Sequence, residues 1–533
     1  MTEVKRVFKV NGKPFYPIGT ESVPAGYELK KGEEEFVFKA LKLMHGNSIA
    51  IPIHWDQIEP EEDKFDFTSV DSLIANARKY NLKLIPLWFA TWYNSHMGYT
   101  PSWVKTNPEH FKRAIDTHGK DLWALSPHCK ASLEADKKAF AALCKHLKAK
   151  DSTEQTVIAL QVENEPDIVG SDRDYGPEGE VAFNGPVPAK FVAAIKKYGK
   201  GSVYDLWQKA GGKESGTWPE LFGWAAEAGH LMYTWSIARY IDGVAEAGKA
   251  VYDIPMFINL WLRRGLIDPE MRMDLYRWAT PHLDLIAPDN YRRDSRGYEA
   301  MCAIHARDDN PLFMVETVGD QNMFRAIAEY NAIGYHFGGI ELSVDENGVV
   351  LPENQSHADN IQCVASVIPL LLKHQGTGKV HAIIEEYGMD EEWIDLDGYA
   401  GLVQFGAGRP TYTFIDYRHK KAHSPRKEYN PDTSGRGLII QAGKHEFYLV
   451  GVNWRIFFRR KLTPDKTRTS LSPSDLQFDL QINPIHAKYL SVEEGYFDEN
   501  GEFVTTLRRN GGWVNQCLWV EADIGVLRVI MCE

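Results

Sequence analysis

Along the first 370 or so residues, short apolar runs alternate with longer segments whose apolar residues recur at helical spacing. The runs are Phe15 to Gly19, Ser48 to Ile53, Lys83 to Phe89, Val157 to Val162, Ile254 to Leu260, Leu283 to Ala287, Leu312 to Val315 and Gly339 to Leu342. They are rich in β-branched and aromatic residues and almost continuously apolar. That pattern suits parallel strands, whose outer faces are covered by the helices that connect them. Eight runs separated by helical segments predict an α/β chain built on a (β/α)8 barrel, which takes roughly 250 residues plus insertions.

The intervening segments supply the helices. Thr68 to Tyr80 begins at a plausible Thr cap and places Leu73, Ala77 and Tyr80 on one face. Leu221 to Tyr252 keeps helical spacing through Trp224, Leu231, Trp235, Ile237, Ile241 and Val244. Asn360 to His374 contains Pro369, which predicts a kink or break. The segment from about Pro166 to Pro219, after the fourth run, carries many Gly, Pro and charged residues with little apolar period. It reads as a loop excursion at the barrel rim, where loops shape substrate clefts.

Beyond about residue 376 the texture changes. His381 to Glu386, Ala400 to Phe405, Gly437 to Ala442, His445 to Asn453, Glu502 to Leu507 and Val526 to Met531 read as strands punctuated by turn residues, which predicts an antiparallel β-sandwich-like domain. The expected division is a catalytic barrel over 1–375, with its long insertion over about 166–219, and an accessory all-β domain over 376–533.

Composition narrows the classes. The chain has 533 residues and a mass of 60.5 kDa, enough for two or three domains. Hydrophobic residues make up 44% and charged residues 25%, which fits a folded globular chain rather than a disordered one. The formal net charge is −13 and no basic run could track a phosphate backbone, so nucleic acid is not an expected partner. The most continuous apolar stretch, Cys363 to Leu372, falls far short of the ~20 residues that span a bilayer, so no membrane partner is expected either. The first residues lack the apolar core of a secretory signal, which makes the cytoplasm the default location unless an export signal lies outside this sequence. The six cysteines have no CxxC spacing and read as mostly buried free thiols. His96, His110, His118 and His128 lack metal-ligand spacing, and glycine-rich phosphate loops are absent, so no metal or cofactor is expected.

The chemistry concentrates at two strand ends. In TVIALQVENEPD, Thr156 to Asp167, a buried-type strand ends in Glu163, Asn164 and Glu165 before Pro166 stops the pairing. In PLFMVETVGD the seventh strand ends in Glu316. Strands four and seven face each other across a barrel mouth, so these carboxylates can converge on one bound group. Glycoside hydrolysis requires such a pair, one carboxyl protonated to release the leaving oxygen and the other ionised to attack or to activate water.

These motifs, with WDQIEPEEDKFDF (Trp55 to Phe67) and PDNY (Pro288 to Tyr291), resemble the clan of retaining glycoside hydrolases with two glutamates on barrel strands four and seven. Within that clan the chain looks most like the β-galactosidases of glycoside hydrolase families 42 and 35. The segment GLIIQAGKHEFYLVGVNWRIFF resembles the all-β domain after the barrel in a bacterial subset of family 35. The resemblance implies that Glu165 is the general acid/base, that Glu316 is the nucleophile, that Asn164 donates to the sugar 2-hydroxyl and that Tyr291 orients Glu316. It implies a carboxyl separation of about 5 to 5.5 Å and retention through a glycosyl-enzyme intermediate.

A sugar site also needs aromatic faces and further polar groups. Strand-end candidates are Glu21, His54, Trp55, Trp88, Trp92, Trp261 and Glu341, with Trp92, Trp261 and Glu341 favoured. The expected function is a retaining exo-β-glycosidase, foremost a β-galactosidase acting on oligosaccharides or other glycosides. The alternatives are a β-glucosidase, β-mannosidase, α-arabinosidase or endo-glycanase of the same clan, and a non-catalytic glycan-binding barrel. Oligomeric state is left open, with a homo-oligomer allowed.

Overall fold

Eight parallel strands form the first sheet of this computed structural model, which describes residues 6–22, 34–223, 226–261, 267–318, 321–345, 347–405, 433–461, 487–509 and 518–532. They are β1 (Ile18–Glu21), β2 (Ser48–His54), β3 (Lys83–Tyr93), β4 (Leu160–Asn164), β5 (Met256–Trp261), β6 (Leu285–Asn290), β7 (Glu316–Thr317) and β8 (Tyr335–Gly338). Their order runs from β7 down to β1 and then to β8, and a parallel bridge between Met314 and Tyr335 joins the two ends. The sheet therefore closes on itself as a (β/α)8 barrel.

Side chains alternate across the barrel wall with the period of two that a strand imposes. Ala50, Ile85, Leu87, Phe257, Leu285, Ala287 and Phe313 share an interior cluster, while Ile49, Ile51, Leu84, Trp88, Ile258 and Ile286 pack outward against the helices. An N-terminal hairpin, Phe8–Val10 with Lys13–Phe15, adds Phe8 to the interior, where it meets Phe313 edge to face at 5.0 Å.

Two strands differ from the sequence expectation. The run Phe15 to Gly19 is split, since Phe15 belongs to the hairpin and β1 begins at Ile18. The eighth strand is Tyr335–Gly338 rather than Gly339 to Leu342. Gly339 adopts a left-handed conformation (φ 78°) that ends the strand, and Ile340–Leu342 forms a 3₁₀ turn with Leu342 exposed. His336 within the strand hid it from a hydrophobic reading; it is buried, and its Nε2 lies 2.8 Å from Ser48 Oγ.

The insertion after β4 is largely helical, which corrects the loop reading. Helices span Pro177–Asn184, Ala189–Tyr198, Ser202–Lys209 and Trp218–Phe222. Their apolar residues are spaced for burial, as with Phe191, Val192 and Ile195 or Val203 and Trp207, but each helix is too short for the period to stand out. Gly199 (φ 63°) and Gly201 (φ 92°) make the tight turn between two of them. The long helical segment predicted from Leu221 divides at Gly223 (φ 87°), and its main part is the helix α1 (Ala226–Val251). A break near Pro369 is present: one helix covers Gln355–Ser366 and the next starts at Ile368.

From Val380 onward the described residues form two antiparallel sheets. Six strands, Val380–Ile384, Arg436–Gly443, Glu446–Val452, Val526–Met531, Tyr489–Phe497 and Phe503–Arg508, lie side by side in that order. Four more, Glu391–Leu396, Tyr399–Phe405, Trp454–Arg460 and Leu518–Val520, make the second sheet. Ile439, Phe447, Leu449, Leu527 and Val529 face the second sheet across a shared core, whereas Leu438, Ile440, Tyr448 and Val450 belong to the barrel's cluster. The six-stranded sheet is therefore apolar on both faces, one closing the sandwich and the other seated on the barrel's helices. Cys129, Cys144, Cys302 and Cys363 are buried free thiols and Cys532 is half-buried, while Cys517 lies outside the described residues.

Candidate active site

The polar ends of the barrel strands converge on one amide. Asn259, in the middle of β5, lies with its Nδ2 2.9 Å from Asn164 Oδ1, 2.9 Å from Asp289 Oδ2 and 3.5 Å from Glu316 Oε2. Its Oδ1 accepts from the Glu165 backbone N–H at 3.2 Å. One buried side chain thus ties together the C-terminal ends of β4, β6 and β7. Asn164 is further held by Gln161, whose Nε2 donates to its Oδ1 at 3.1 Å, and its own Nδ2 donates to Asn94 Oδ1 at 2.8 Å.

The backbone around the acid is strained. Glu163 (φ 67°) and Glu165 (φ 43°) both occupy the left-handed region, as do Asn94 and Ser95 in the loop after β3. For non-glycine residues such conformations cost about 1–3 kcal/mol each and persist where surrounding contacts over-determine them. Here Asn94 N donates to Asn164 O and Ser95 Oγ donates to Glu165 O. The turn at Glu163 sends its carboxyl away from the mouth, so that Oε2 accepts from Trp92 N at 2.7 Å. Behind the sheet it meets Asp136, which also accepts from Trp88 Nε1 and Thr91 Oγ1.

The mouth itself is a crowd of carboxyls. Burial first, then Glu165, pushes Glu316 up to about 8, against the hydrogen bond from Asn259. Burial also raises Glu165, while its contact with Asp289 works the other way. Glu21 is lifted well above the usual carboxylate range by burial and by Glu316, Glu165 and Glu341. Asp289 is lifted likewise by burial, Glu316 and Glu165. Like charges in a desolvated site cannot all ionise, so part of this set is held neutral at pH 7.

Of the residues singled out in the sequence, Glu21, Asn164, Glu165, Glu316 and Glu341 lie in this cluster, Glu341 accepting from Ser22 Oγ. Trp261 ends β5 in register with Asp289 and is half-buried. His54 is buried, stacked on Tyr99 with ring centres 3.9 Å apart, and burial lowers it to about 3, so the ring is neutral.

Others are placed elsewhere. Trp92 is fully buried and packs edge to face on Tyr240 of α1 at 4.8 Å. A register irregularity in β3 between Trp88 and Tyr93 turns it outward, so it is a core residue and not a sugar platform. Trp88 and Trp55 are likewise buried, with indole N–H groups donating to Asp136 and Glu59. Tyr291 lies one residue past β6 and is half exposed, and no hydrogen bond joins it to Glu316 among the described residues. Asn259 is the group that reaches Glu316 instead.

Three residues at the site went unread in the sequence. Tyr93 faces the carboxyls; burial first, then Tyr99, Glu316, Glu21 and Glu165, push its hydroxyl up to about 12. Asn259 and Asp289 are buried, and the signal for them was available: each is a polar residue two positions beyond an inward-facing apolar one, Phe257 and Ala287.

Residues 27–310, more than half of the chain, match the glycoside hydrolase family 42 family, described as beta-galactosidase. The chain belongs to that family. Residues 357–521 match a domain of unknown function, DUF5597. No curated protein matches. Similar solved structures include the β-galactosidase from Bacillus circulans sp. alkalophilus, at 15% identity over 68% of this chain and 57% of that one, with a TM-score of 0.48. The β-galactosidase from the psychrophilic Marinomonas ef1 matches at 13% identity over 67% and 60%, with a TM-score of 0.46. The catalytic domain of β-amylase from Paenibacillus polymyxa matches at 14% identity over 64% and 96%, also at 0.46. This family 42 chain thus spans about three fifths of the two β-galactosidases it resembles. No described helix is long and apolar enough to cross a membrane.

Proposed function

We propose that the protein is a retaining exo-β-glycosidase, foremost a β-galactosidase, that removes a terminal sugar from an oligosaccharide or other glycoside. The observation that carries this reading is the placement of Glu165 just past β4 and of Glu316 in β7, where Asn259 accepts from the Glu165 backbone N–H and donates to the Glu316 carboxyl. Glu165 gives its proton to the glycosidic oxygen as the C1–O bond breaks, and Glu316 attacks C1 to form a glycosyl ester. Water then attacks C1, Glu165 takes the water's proton, and Glu316 leaves.

The division of labour needs an ionised Glu316, which burial opposes and two features of the site favour. While Glu165 is protonated it carries no charge to raise Glu316, and the Asn259 hydrogen bond favours the Glu316 carboxylate the first step needs. Glu21 and Glu341 are the proposed partners of sugar hydroxyls, with Trp261, Tyr93 and the neutral His54 as apolar faces beside them. The same reading assigns the barrel to 1–375 and the accessory β domain to 376–533, and locates the protein in the cytoplasm.

The test is hydrolysis of a panel of nitrophenyl glycosides by wild type and Glu316→Ala, both checked for folding by circular dichroism. Release from the β-galactoside, lost in the variant and restored by azide as the α-galactosyl azide, is the expected result. Equal activity in wild type and variant would remove Glu316 from the mechanism, and turnover of a different sugar would keep the mechanism and replace the substrate.

A further inference from the structure

Asp289 is the buried carboxyl for which the retaining mechanism just described has no assigned task. It is 1% exposed and sits on β6 in register with Trp261 on β5 and Glu316 on β7. Its two oxygens have different surroundings. Oδ2 accepts the Asn259 N–H at 2.9 Å. No donor reaches Oδ1 among the described residues, although this atom is shut off from solvent. Glu165 is a hydrogen-bonding neighbour of the Asp289 carboxyl.

Two carboxylates cannot occupy such a contact together, because each would lack a donor and repel the other in a site without water. A proton on the buried oxygen that no described donor reaches would resolve both problems at once. We propose that Asp289 is a positioning residue that stays a neutral acid throughout turnover and donates a hydrogen bond from Oδ1 to the Glu165 carboxylate. The inference rests on the glycosidase reading and deepens it.

The proton balance is simple. Before the first step both carboxyls are protonated, and the Glu165 proton leaves with the departing alcohol. The Glu165 carboxylate so formed receives the Asp289 O–H hydrogen bond. When water attacks C1, its proton restores Glu165, and the Asp289 proton has not moved. The donor therefore favours the charged form of Glu165 and offsets part of the rise that burial imposes on it. Without it less of Glu165 would be the free carboxylate that the second step needs.

The surroundings favour a neutral Asp289. The strongest charges acting on it are Glu316 from β7, Glu165 from β4 and Glu21 from β1. Glu341, after β8, acts on Glu21, and Tyr93 of β3 faces the same group. His54 of β2 is neutral, as shown by its depressed value. Arg272, whose Nη1 donates to the Trp261 backbone oxygen, is paired with Asp167 at 2.8 Å.

The experiment compares Asp289→Asn and Asp289→Ala with wild type, using aryl β-glycosides of good and poor leaving groups over a pH series. Asparagine can accept from Asn259 through Oδ1 and donate to Glu165 through Nδ2, so it retains the wild-type alkaline limb of kcat/KM and most of the activity. Alanine removes the donor, moves that limb upward by about one pH unit, and slows the second step, seen as a burst of the better leaving group and accumulation of glycosyl-enzyme. If D289N moves the limb downward by a similar amount, Asp289 is ionised in the wild type and the proposal fails. It also fails if folded D289A keeps the wild-type limb. Wild-type turnover that is insensitive to Glu316→Ala would defeat the glycosidase reading itself, an outcome separate from either Asp289 result.

Discussion

Replacing Glu163 by Gln should make the protein progressively more stable than wild type as pH rises. Glu163 and Asp136 are both fully buried behind the mouth, and burial is the first cause raising each carboxyl. Asp136 raises Glu163 further, whereas Glu163, Trp88 and Thr91 hydrogen-bond to Asp136 and favour its charged form. Both sets of causes put the proton that the pair keeps on Glu163 rather than on Asp136. An exposed glutamate titrates near 4.5, so unfolding above that pH releases the proton. The native state then binds one more proton than the unfolded chain, and this group's contribution, fully present below about 4.5, is lost as pH rises toward the raised native value. The slope is about 1.4 kcal/mol per pH unit. Glutamine keeps an acceptor for Trp92 N and a donor for Asp136 but has no proton to lose. The difference in unfolding free energy between Glu163→Gln and wild type should thus grow in the variant's favour by about 1.4 kcal/mol per unit above pH 4.5, until the raised native value is reached. Urea unfolding followed by tryptophan fluorescence at three pH values measures it, and the other carboxyls are common to both proteins and cancel. A constant offset, whatever its sign, would mean that Glu163 holds no proton in the native state.

The remaining predictions test placement. Trp92→Phe should lower stability by about 1–3 kcal/mol through lost packing on Tyr240 and leave KM for aryl glycosides within about twofold; a tenfold rise in KM, about 1.4 kcal/mol of lost binding, would return Trp92 to the sugar site. Arg436, 1% exposed, donates through Nε to Asn360 Oδ1 at 2.6 Å and through Nη1 to Ser434 O at 2.8 Å, at the seam between the β strands and the barrel helices. Arg436→Ala should cost about 3 kcal/mol by leaving those oxygens buried without their donor, seen as a lower calorimetric midpoint with kcat/KM unchanged while the protein is folded. An unchanged midpoint would show that the seam contributes little to stability.

The barrel was legible because its strands are apolar on both faces, and a continuous run such as Ser48 to Ile53 survives small errors in boundary. Elements whose burial depends on a few spaced residues were not. The insertion helices each bury one to four side chains, so Gly and Pro at their ends dominated the local texture and imitated a loop. In the β domain, Glu391–Leu396 was missed because it alternates charged residues with buried ones, and Tyr489–Phe497 because Ser491, Glu493, Glu494 and Gly495 break its apolar run. Val526–Met531 was found because its apolar residues are almost continuous.

The site was legible in its ligands and not in its supports, and one physical cause accounts for both. A hydrophobic reading ends each barrel strand where apolar residues stop, yet β1, β2, β4, β5 and β6 run on into Glu21, His54, Asn164, Trp261 and Asn290. The last inward-facing positions line the mouth and must be polar, so a strand in this fold loses its strand-like pattern at the point where it begins to do chemistry. Glu165 and Glu316 were recoverable because they stand at the ends of motifs. Asn259 and Asp289 stand inside strands, where a lone polar residue looks like an interruption. Counting the period of two through the interruption places each of them on the inner face, and Phe257 to Asn259 and Ala287 to Asp289 obey it. The same count fails for Glu163, which the inward positions of Ala159 and Gln161 would turn into the mouth. Its positive φ reverses it toward Asp136, and nothing in the sequence signals that reversal except a strained backbone beside the acid it helps to aim.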